Sequence, residues 1–211
     1  MRIMAFIDGF NLYHAVKDLR QPHLKWLDLR KLRQRALTTN ERGNLTDVYY
    51  FSAYAEWRRD ACKKHRNYVA ALEQVGIHPI LGRYKNNHTR CNTCGTKTSR
   101  HEEKETDVNI AIWLVREALL DHYDMALLVT GDTDLVPAAK MVKEQYPGEI
   151  IRIVGPPKRR LSKDLLRAAA SMNFQKMLTL KDLRNSLLPE TMLDPDGTIA
   201  ATRPDDYPPP S

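Results

Sequence analysis

Acidic residues follow two of the apolar segments in this sequence of 211 residues. Asp8 follows the segment Ile3–Ile7, and Asp132 and Asp134 come shortly after Ala126–Val129. Both segments have the length and composition of buried strands. The carboxyl ends of parallel strands meet at one edge of a sheet, and ligands bind in the crevice there. We therefore expect these three carboxylates to converge, although they lie far apart in the chain.

A fourth acid, Asp107, lies in the first turn of a predicted helix, and Asn11 lies in the first turn of another. Carboxylates gathered at one edge raise one another's pKa unless a cation neutralises them, and oxygen-only clusters suit Mg²⁺ or Mn²⁺. The Asn11 carboxamide could hold a metal-bound water or a phosphate oxygen without adding charge. Each acid alone could instead be a turn residue, as at Asp8, or a helix cap, as at Asp107 and Asp134. The four acids together favour a metal site.

A second set of possible metal ligands lies in the polar stretch 82–101, which is longer than an ordinary connection and is predicted to be an insertion. His88, Cys91, Cys94 and His101 have the spacing H-x₂-C-x₂-C-x₆-H. These four ligands could hold a structural Zn²⁺ tetrahedrally and stiffen the insertion. An unmetallated loop with free thiols is the alternative, and the two histidine ligands are the less certain half of the set.

The chain is basic, with 33 Lys and Arg against 26 Asp and Glu and a net charge of +7. Such a surface suits a polyanion, of which nucleic acid is the commonest. The triplet of Lys158, Arg159 and Arg160 follows a predicted strand end at the same edge as the acids, where it could contact phosphates. A solvated loop is the equal alternative. A second basic group reads better as a solvated helix face; it contains Arg58, Arg59, Lys63, Lys64 and Arg66. On the same helix, Cys62 and His65 are predicted to be core residues.

Five predicted strands alternate with six predicted helices, a pattern typical of an α/β fold with a mainly parallel sheet. The strands are Ile3–Ile7, Val48–Tyr54, Ile77–Leu81, Ala126–Val129 and Ile150–Val154. The helices are Phe10–Leu19, Leu27–Ala36, Trp57–Val75, Val108–Leu120, Leu135–Tyr146 and Ser162–Ala170, with Ser162 as an N-cap. Seven of the eight residues from Val108 to Val115 are apolar, which predicts a helix buried nearly all round. The domain is expected to span 1–185, and 186–211, with six of the twelve prolines, to form an irregular tail.

Several classes of protein are disfavoured. Three cysteines do not make a disulfide framework, and no apolar run approaches the roughly 18 residues of a membrane span. The N-terminus lacks the features of a signal peptide, so the cytoplasm is the expected compartment. No glycine-rich nucleotide-binding motif occurs. The segment Asp194–Thr198 looks like the first motif of haloacid-dehalogenase-type phosphatases, but only 13 residues follow it, and a Pro-Asp-Gly turn is the better interpretation.

Three segments together resemble the signatures of NYN domains, which are PIN-like, metal-dependent nucleases that include the LabA-like group. These segments are Phe6–Leu12, Glu103–Val108 and Val129–Leu135, and Ser162–Ala169 is similar to the last helix of the family. The resemblance covers about residues 3–180 and implies a PIN-like three-layer α/β sandwich. It also implies that the active site consists of Asp8, Asn11, Asp107, Asp132 and Asp134. Many relatives carry an acid near the position of Trp113, and this chain has none there. On a helix, a residue six positions after Asp107 points well away from it, so the missing acid is not expected to be a direct metal ligand.

The leading hypothesis is therefore a Mg²⁺- or Mn²⁺-dependent ribonuclease. Asp8, Asp107 and Asp132 would hold the ion, and Asp134 and Asn11 would position water or ligand. The ion would lower the pKa of a bound water that attacks the phosphorus. RNA as the partner, rather than DNA, rests on the resemblance. Two alternatives are a non-catalytic nucleic-acid or protein-interaction module and a metal-dependent phosphatase acting on small phosphoesters.

Overall fold

The computed structural model describes residues 1–38, 41, 45–90, 93–172 and 175–209. Its strands, in chain order, are β1 (Ile3–Asp8), β2 (Leu45–Ser52), β3 (His78–Leu81), β4 (Arg83–Arg90), β5 (Lys97–Lys104), β6 (Met125–Val129), β7 (Ile150–Gly155), β8 (Lys176–Met177), β9 (Thr191–Leu193) and β10 (Ile199–Thr202). Its helices are α1 (Gly9–Lys17), α2 (Leu29–Gln34), α3 (Arg59–Gln74), α4 (Thr106–Leu119), α5 (Val136–Gln145), α6 (Lys163–Ala168) and α7 (Leu180–Arg184).

Six of these strands form one parallel sheet in the order β3-β2-β1-β6-β7-β8. The central strand β1 is buried along its whole length. Its residues alternate between the two faces: Ile3, Ala5 and Ile7 belong to one apolar core, and Met4 and Phe6 belong to the other. A strand covered on both faces reads as a continuous apolar run, which is why the sequence shows it clearly.

Helices cover the sheet on both faces. The first core includes residues of α1, α2 and α3, such as Leu12, Leu29 and Leu72. The second includes residues of α4, α5 and α6, such as Leu114 and Ala139. The three-layer α/β arrangement with a mainly parallel sheet is therefore confirmed. All five predicted strands and all six predicted helices are present, with ends that differ by a few residues.

The helix start predicted at Ser162 is also found. The Ser162 hydroxyl accepts hydrogen bonds from the N–H groups of Asp164 and Leu165 at 3.2 and 3.3 Å. This side chain satisfies two of the backbone donors that a helix leaves unpaired at its N-terminus.

The stretch 82–101, predicted to be an insertion loop, lies largely in a regular β-hairpin. Strands β4 and β5 pair antiparallel over eight residues, from Arg83 opposite Lys104 to Arg90 opposite Lys97. The hairpin is separate from the central sheet. Its strands are polar on both faces, so the sequence lacks the alternation of apolar and polar residues that identifies a half-buried strand.

The prediction that the helix beginning near Val108 is buried nearly all round is wrong. In α4, Ile110, Leu114 and Ala118 are buried, whereas Val108 and Ile112 are more than half exposed. The helix lies in an outer layer and has only one face against the sheet. Its sequence is apolar on both faces, so periodicity could not show which face is covered.

The prediction of an irregular tail is also wrong. Strands β9 and β10 form an antiparallel hairpin whose Met192 and Ala201 are buried in the first core. The Asn67 side chain on α3 bonds both backbone groups of Thr202, donating to its carbonyl at 2.6 Å and accepting from its N–H at 3.3 Å. The prolines that suggested disorder lie outside these two short strands. The segment Asp194–Thr198 forms the hairpin turn, as predicted.

Within the described residues, no helix combines the length and the apolar character that crossing a bilayer requires.

Candidate active site

Asp8 is the last residue of β1 and caps the helix that follows it. Its Oδ1 accepts a hydrogen bond from the N–H of Asn11 at 2.9 Å, and the side chain is almost fully buried. The turn between strand and helix is tight: a Cβ atom at Gly9 would lie 2.6 Å from the carbonyl oxygen of Phe51 and 2.7 Å from the Tyr50 ring. Only glycine fits there, so Gly9 fixes the position of the neighbouring carboxylate.

Thr130 connects Asp8 to the loop after β6. Its hydroxyl donates to Asp8 Oδ2 at 2.8 Å, and its oxygen accepts from the N–H of Asp132 at 3.1 Å. Asp132 Oδ1 in turn accepts from the N–H of Asp134 at 3.0 Å. Thr130 is completely buried. Thr130 was not among the residues predicted to form the site. The sequence feature that could have indicated it is a hydroxyl side chain directly after an apolar strand and before the Gly-Asp pair.

Asn11 makes a second connection to the same loop. Its carboxamide oxygen accepts a hydrogen bond from the N–H of Gly131 at 3.1 Å. The start of α1 and the loop after β6 are therefore held together by Asn11 and by Asp8. The proposed contact of Asn11 with a water or phosphate remains a prediction.

Asp107 lies half-buried in the first turn of α4. The helix is capped by neighbours: Glu103 accepts from the N–H of Thr106 at 3.0 Å and from its hydroxyl. The N-cap residue, Glu105, has a left-handed backbone with φ of 80°. Asp107 is therefore not the cap of its helix. The same is true of Asp134, because the N-cap of α5 is Leu135.

The acids influence one another's ionisation. Burial, followed by the charge of Asp132, raises the pKa of Asp8 to about 6, although hydrogen bonds from Asn11 and Thr130 oppose this. Burial raises the pKa of Asp107 to about 6 as well, and the charges of Asp8, Asp132, Glu103 and Asp134 add to it. The structure thus brings the four predicted acids, and Glu103 with them, to one edge of the sheet. Ionising all of them costs free energy that a bound cation would offset.

No three His, Cys, Asp or Glu side chains, among the residues that the structure describes, form a group able to hold a metal ion as they stand. The chemistry of the acid cluster nevertheless fits a hard cation, because every donor is an oxygen. Both oxygens of Asp8 already accept hydrogen bonds. Each of these oxygens keeps a second lone pair that could bind a cation.

Three of the four predicted zinc ligands, His88, Cys94 and His101, lie on the β4–β5 hairpin. Cys91 lies outside the described residues, and Cys94 is exposed, with its Sγ 3.1 Å from Thr96 Oγ1. The His101 imidazole stacks on the ring of Trp57, with 3.7 Å between ring centroids. His88, Cys94 and His101 do not form a three-ligand group. The zinc site therefore remains a prediction that depends most on the cysteine pair.

The basic triplet lies in the loop after β7, and all three of its side chains are exposed. This loop borders the acid cluster, since the carbonyl oxygen of Arg160 would lie 3.7 Å from a Cβ atom at Gly131. Arg159 forms an ion pair with Asp18 at 2.5 Å. Lys158 and Arg160 form no ion pair within the described residues, and the contact of their side chains with phosphates remains a prediction.

The basic group on α3 was predicted to be a solvated helix face. Arg58, Arg59 and Lys63 are exposed, as predicted, whereas Lys64 and Arg66 form ion pairs. Arg66 pairs with Glu56 at 3.0 Å and lies over the ring of Tyr54, and Lys64 pairs with Asp206 at 2.6 Å.

The two predicted core residues of α3 are found packed. Cys62 is buried, and half-buried His65 has its Nε2 3.3 Å from Ser52 Oγ. On α4, Trp113 packs against Tyr49, with 4.6 Å between ring centroids. Trp113 thus faces β2, away from the acids.

The structure is thus a parallel α/β sandwich with acids gathered at the carboxyl ends of its strands. The family model of the NYN domain matches residues 2–178. The chain therefore belongs to the NYN domain family, which is generally nuclease-like and associated with nucleic acids.

Two individual proteins are similar to this chain. The 6-hydroxy-3-succinoylpyridine 3-monooxygenase HspA of Pseudomonas putida is 26% identical over an alignment 176 residues long, and the match covers 68% of this chain and 56% of that protein. The chain thus matches little more than half the length of this curated relative. A crystal structure of a protein of unknown function from Vibrio parahaemolyticus superposes with a TM-score of 0.56 at 20% identity, covering 89% of this chain and 96% of that one. This likeness concerns the fold alone.

Proposed function

We propose that this protein is a metal-dependent ribonuclease that hydrolyses phosphodiester bonds at the edge where Asp8, Asp107, Asp132 and Asp134 meet. The observation that carries the proposal is the convergence of these acids, since Asp8 is bonded through Thr130 to the loop that carries Asp132 and Asp134. Burial and neighbouring charges also raise the pKa of Asp8 and of Asp107 to about 6. Buried acids that raise one another's pKa are costly to the fold, and they are typical of functional sites. Membership of a nuclease-like family supports the same conclusion.

Asp8, Asp107 and Asp132 would hold Mg²⁺ or Mn²⁺, which would supply an activated water and offset charge on the phosphate. Asp134 and Asn11 would orient the water or the phosphate beside them. Thr130 holds Asp8 and the backbone of Asp132 in fixed relation. Lys158 and Arg160 would contact phosphates next to the bond that is cut, since the loop that carries them borders Gly131.

The β4–β5 hairpin would carry a structural Zn²⁺ held by Cys91 and Cys94, with His88 and His101 as the further ligands. Thiolates and imidazoles are the donors that zinc prefers in closed sites. His101 would have to leave its stacked position on Trp57 to take part. The cysteine pair is thus the part of the site on which the proposal depends.

One assay separates this function from its alternatives. Labelled RNA, DNA and a generic phosphomonoester are each incubated with the protein in Mn²⁺, in Mg²⁺ and in EDTA, with Asp132→Asn as the matched variant. We expect RNA to be cut only with metal and only by the native protein. Hydrolysis of the phosphomonoester alone would indicate a phosphatase, and binding of RNA without cleavage would indicate a binding module.

The similarity to HspA, which is named as a monooxygenase, supports a second candidate: oxygenation of a small heteroaromatic acid. Oxygen consumption in the presence of 6-hydroxy-3-succinoylpyridine and a reduced nicotinamide would support this candidate. We rank it lower because the chain has no glycine-rich nucleotide-binding motif.

A further inference from the structure

Four aromatic rings form a continuous row from the β4–β5 hairpin to the candidate active site. His101 stacks on Trp57 with 3.7 Å between centroids and 11° between planes. Trp57 meets Tyr84 edge to face at 4.6 Å, and Tyr84 meets Phe10 in the same way at 6.0 Å. Phe10 lies in the first turn of α1, two residues after Asp8. The row thus ends beside the acid cluster.

This row does not belong to the packed interior. Trp57 is 42% exposed, whereas Trp26 is completely buried. Trp57, Tyr84 and Phe10 are absent from both apolar cores of the described chain. Large aromatic side chains usually sit where they bury the most surface. Trp57 is thus partly open to solvent and is held in place by two neighbouring rings.

The surroundings of the row are positively charged. Residues 83–105 contain six Lys and Arg against three Glu, a net +3 in a chain whose net charge is +7. Two of these cations are paired, Arg83 with Glu105 and Lys104 with Glu102. Arg58 and Arg59 follow Trp57 directly and are exposed. Neither forms an ion pair within the part of the chain that the structure describes, unlike Lys64 and Arg66 farther along α3. Aromatic rings beside such cations match the two groups that a single-stranded nucleotide presents, its base and its phosphate.

We propose that Trp57 and Tyr84 form a stacking surface for the unpaired bases of single-stranded RNA that leads the strand toward Asp8. The choice of RNA and the direction toward the acids rest on the function proposed above. A duplex would not fit this surface, because its bases are stacked on one another and paired. The substrate class is therefore single-stranded RNA or the single-stranded part of a folded one.

Tryptophan fluorescence with an oligouridine of about twelve nucleotides, a length within the range that single-strand-binding sites cover, tests the stacking directly in EDTA. We expect quenching when the native protein binds. The anisotropy of a fluorescein-labelled oligouridine, which does not depend on Trp57, should show an affinity about 10-fold lower in Trp57→Ala, because one base stacked on an aromatic side chain contributes about that much. Trp113→Phe, which alters a tryptophan packed on Tyr49, should bind like the native protein. Tyr84→Ala serves as a second variant, and circular dichroism confirms that each variant is folded.

Native affinity in folded Trp57→Ala and Tyr84→Ala would overturn the proposal. Equal binding of a uridine-adenine duplex, or of single-stranded DNA of matching sequence, would overturn the assignment to single-stranded RNA. Cleavage assays in Mn²⁺ are scored separately. Loss of binding in Trp57→Ala, with no cleavage by the native protein, would leave the stacking surface standing and remove the nuclease. Cleavage by the native protein, together with unchanged RNA affinity in Trp57→Ala, would support the nuclease and exclude the stacking surface.

Discussion

Thr130 donates a hydrogen bond from its hydroxyl to Asp8 Oδ2 at 2.8 Å, although 122 residues separate the two. The bond crosses from β1 to the loop after β6, between neighbouring strands of the sheet. It stabilises the ionised form of Asp8 and so opposes the increase in the pKa that burial causes. Thr130 is therefore a positioning residue for the acid cluster.

Thr130→Val keeps the shape of the side chain but removes the hydroxyl. The pKa of Asp8 should rise beyond about 6, because its carboxylate loses a hydrogen-bond donor. The N–H of Asp132 also loses its acceptor, which should lower the stability of the fold. We expect the acid limb of the pH–rate profile to move to higher pH. The free energy of unfolding should fall by about 1–3 kcal/mol. Thr130→Ser, which keeps the hydroxyl, should restore both; an unshifted profile in Thr130→Val would contradict this role.

Asp8→Asn and Asp132→Asn should each abolish cleavage while the protein remains folded. Each change removes a proposed metal ligand, and losses of about 100-fold or more are expected from mechanisms of this kind. Initial rates with labelled RNA in Mn²⁺ measure the effect. Asp196→Asn, at an exposed position in the turn between β9 and β10, is the control. A folded Asp8 or Asp132 variant that cuts at the native rate would exclude the residue from the site.

The stability of the metal-free protein should depend on the charge of Asp8. Its pKa is raised from 3.8 to about 6 in the folded state, so its contribution to stability is full below pH 3.8 and is lost as pH rises through 6. Asp8→Asn should therefore increase the free energy of unfolding in EDTA at about pH 7.5 by up to about 3 kcal/mol. Its melting temperature should rise accordingly. The gain should disappear near pH 4. Thermal unfolding at both pH values tests this, and a gain that persists at the lower pH would show another cause.

Zinc content tests the hairpin site. Protein purified without chelator should contain about one equivalent of zinc, and Cys91→Ser or Cys94→Ser should remove it. These variants should have a lower melting temperature, whereas their rate of RNA cleavage at temperatures where they remain folded should be unchanged. Cys62→Ala, at a buried position on α3, controls for the loss of a thiol elsewhere. Native protein without zinc by elemental analysis would leave an unmetallated hairpin.

The basic triplet should act on binding and not on chemistry. Replacing Lys158, Arg159 and Arg160 with alanine should weaken RNA binding equally for all sequences. It should also flatten the dependence of affinity on salt, by about 0.7 in slope for each phosphate of a single strand that the variant no longer neutralises. Arg159 should contribute least because it is paired with Asp18. Fluorescence titrations at several salt concentrations in EDTA measure both quantities.

Two sets of variants control this experiment. Exposed lysines on other helices, changed together in Lys31→Ala, Lys140→Ala and Lys181→Ala, should alter the slope less. The Asp8→Asn and Asp132→Asn variants should keep or increase metal-free affinity, because they remove negative charge facing a polyanion. Unchanged affinity and slope in the triplet variant would make the triplet a solvated loop and direct attention to the helix that carries Arg58 and Arg59.

The central architecture and the residue types of the candidate site could be predicted from local features of the sequence. Strand β6 is apolar along its whole length and β1 is apolar up to Asp8, and a helix follows each of them. These signals are local, so they can be recognised without knowing what packs against what. The acids could be assigned to one edge because strand direction in a parallel sheet determines where strand ends lie.

Which faces of the helices and strands are buried, and which side chains distant in sequence come into contact, depends on the tertiary structure. The exposure of Ile112, the burial of Met192 and the bond from Thr130 to Asp8 all depend on contacts between elements far apart in the chain. The row from His101 to Phe10 joins residues 91 positions apart. Such contacts arise from packing, which favours whatever arrangement buries most apolar surface overall, and no local pattern in the sequence records the outcome.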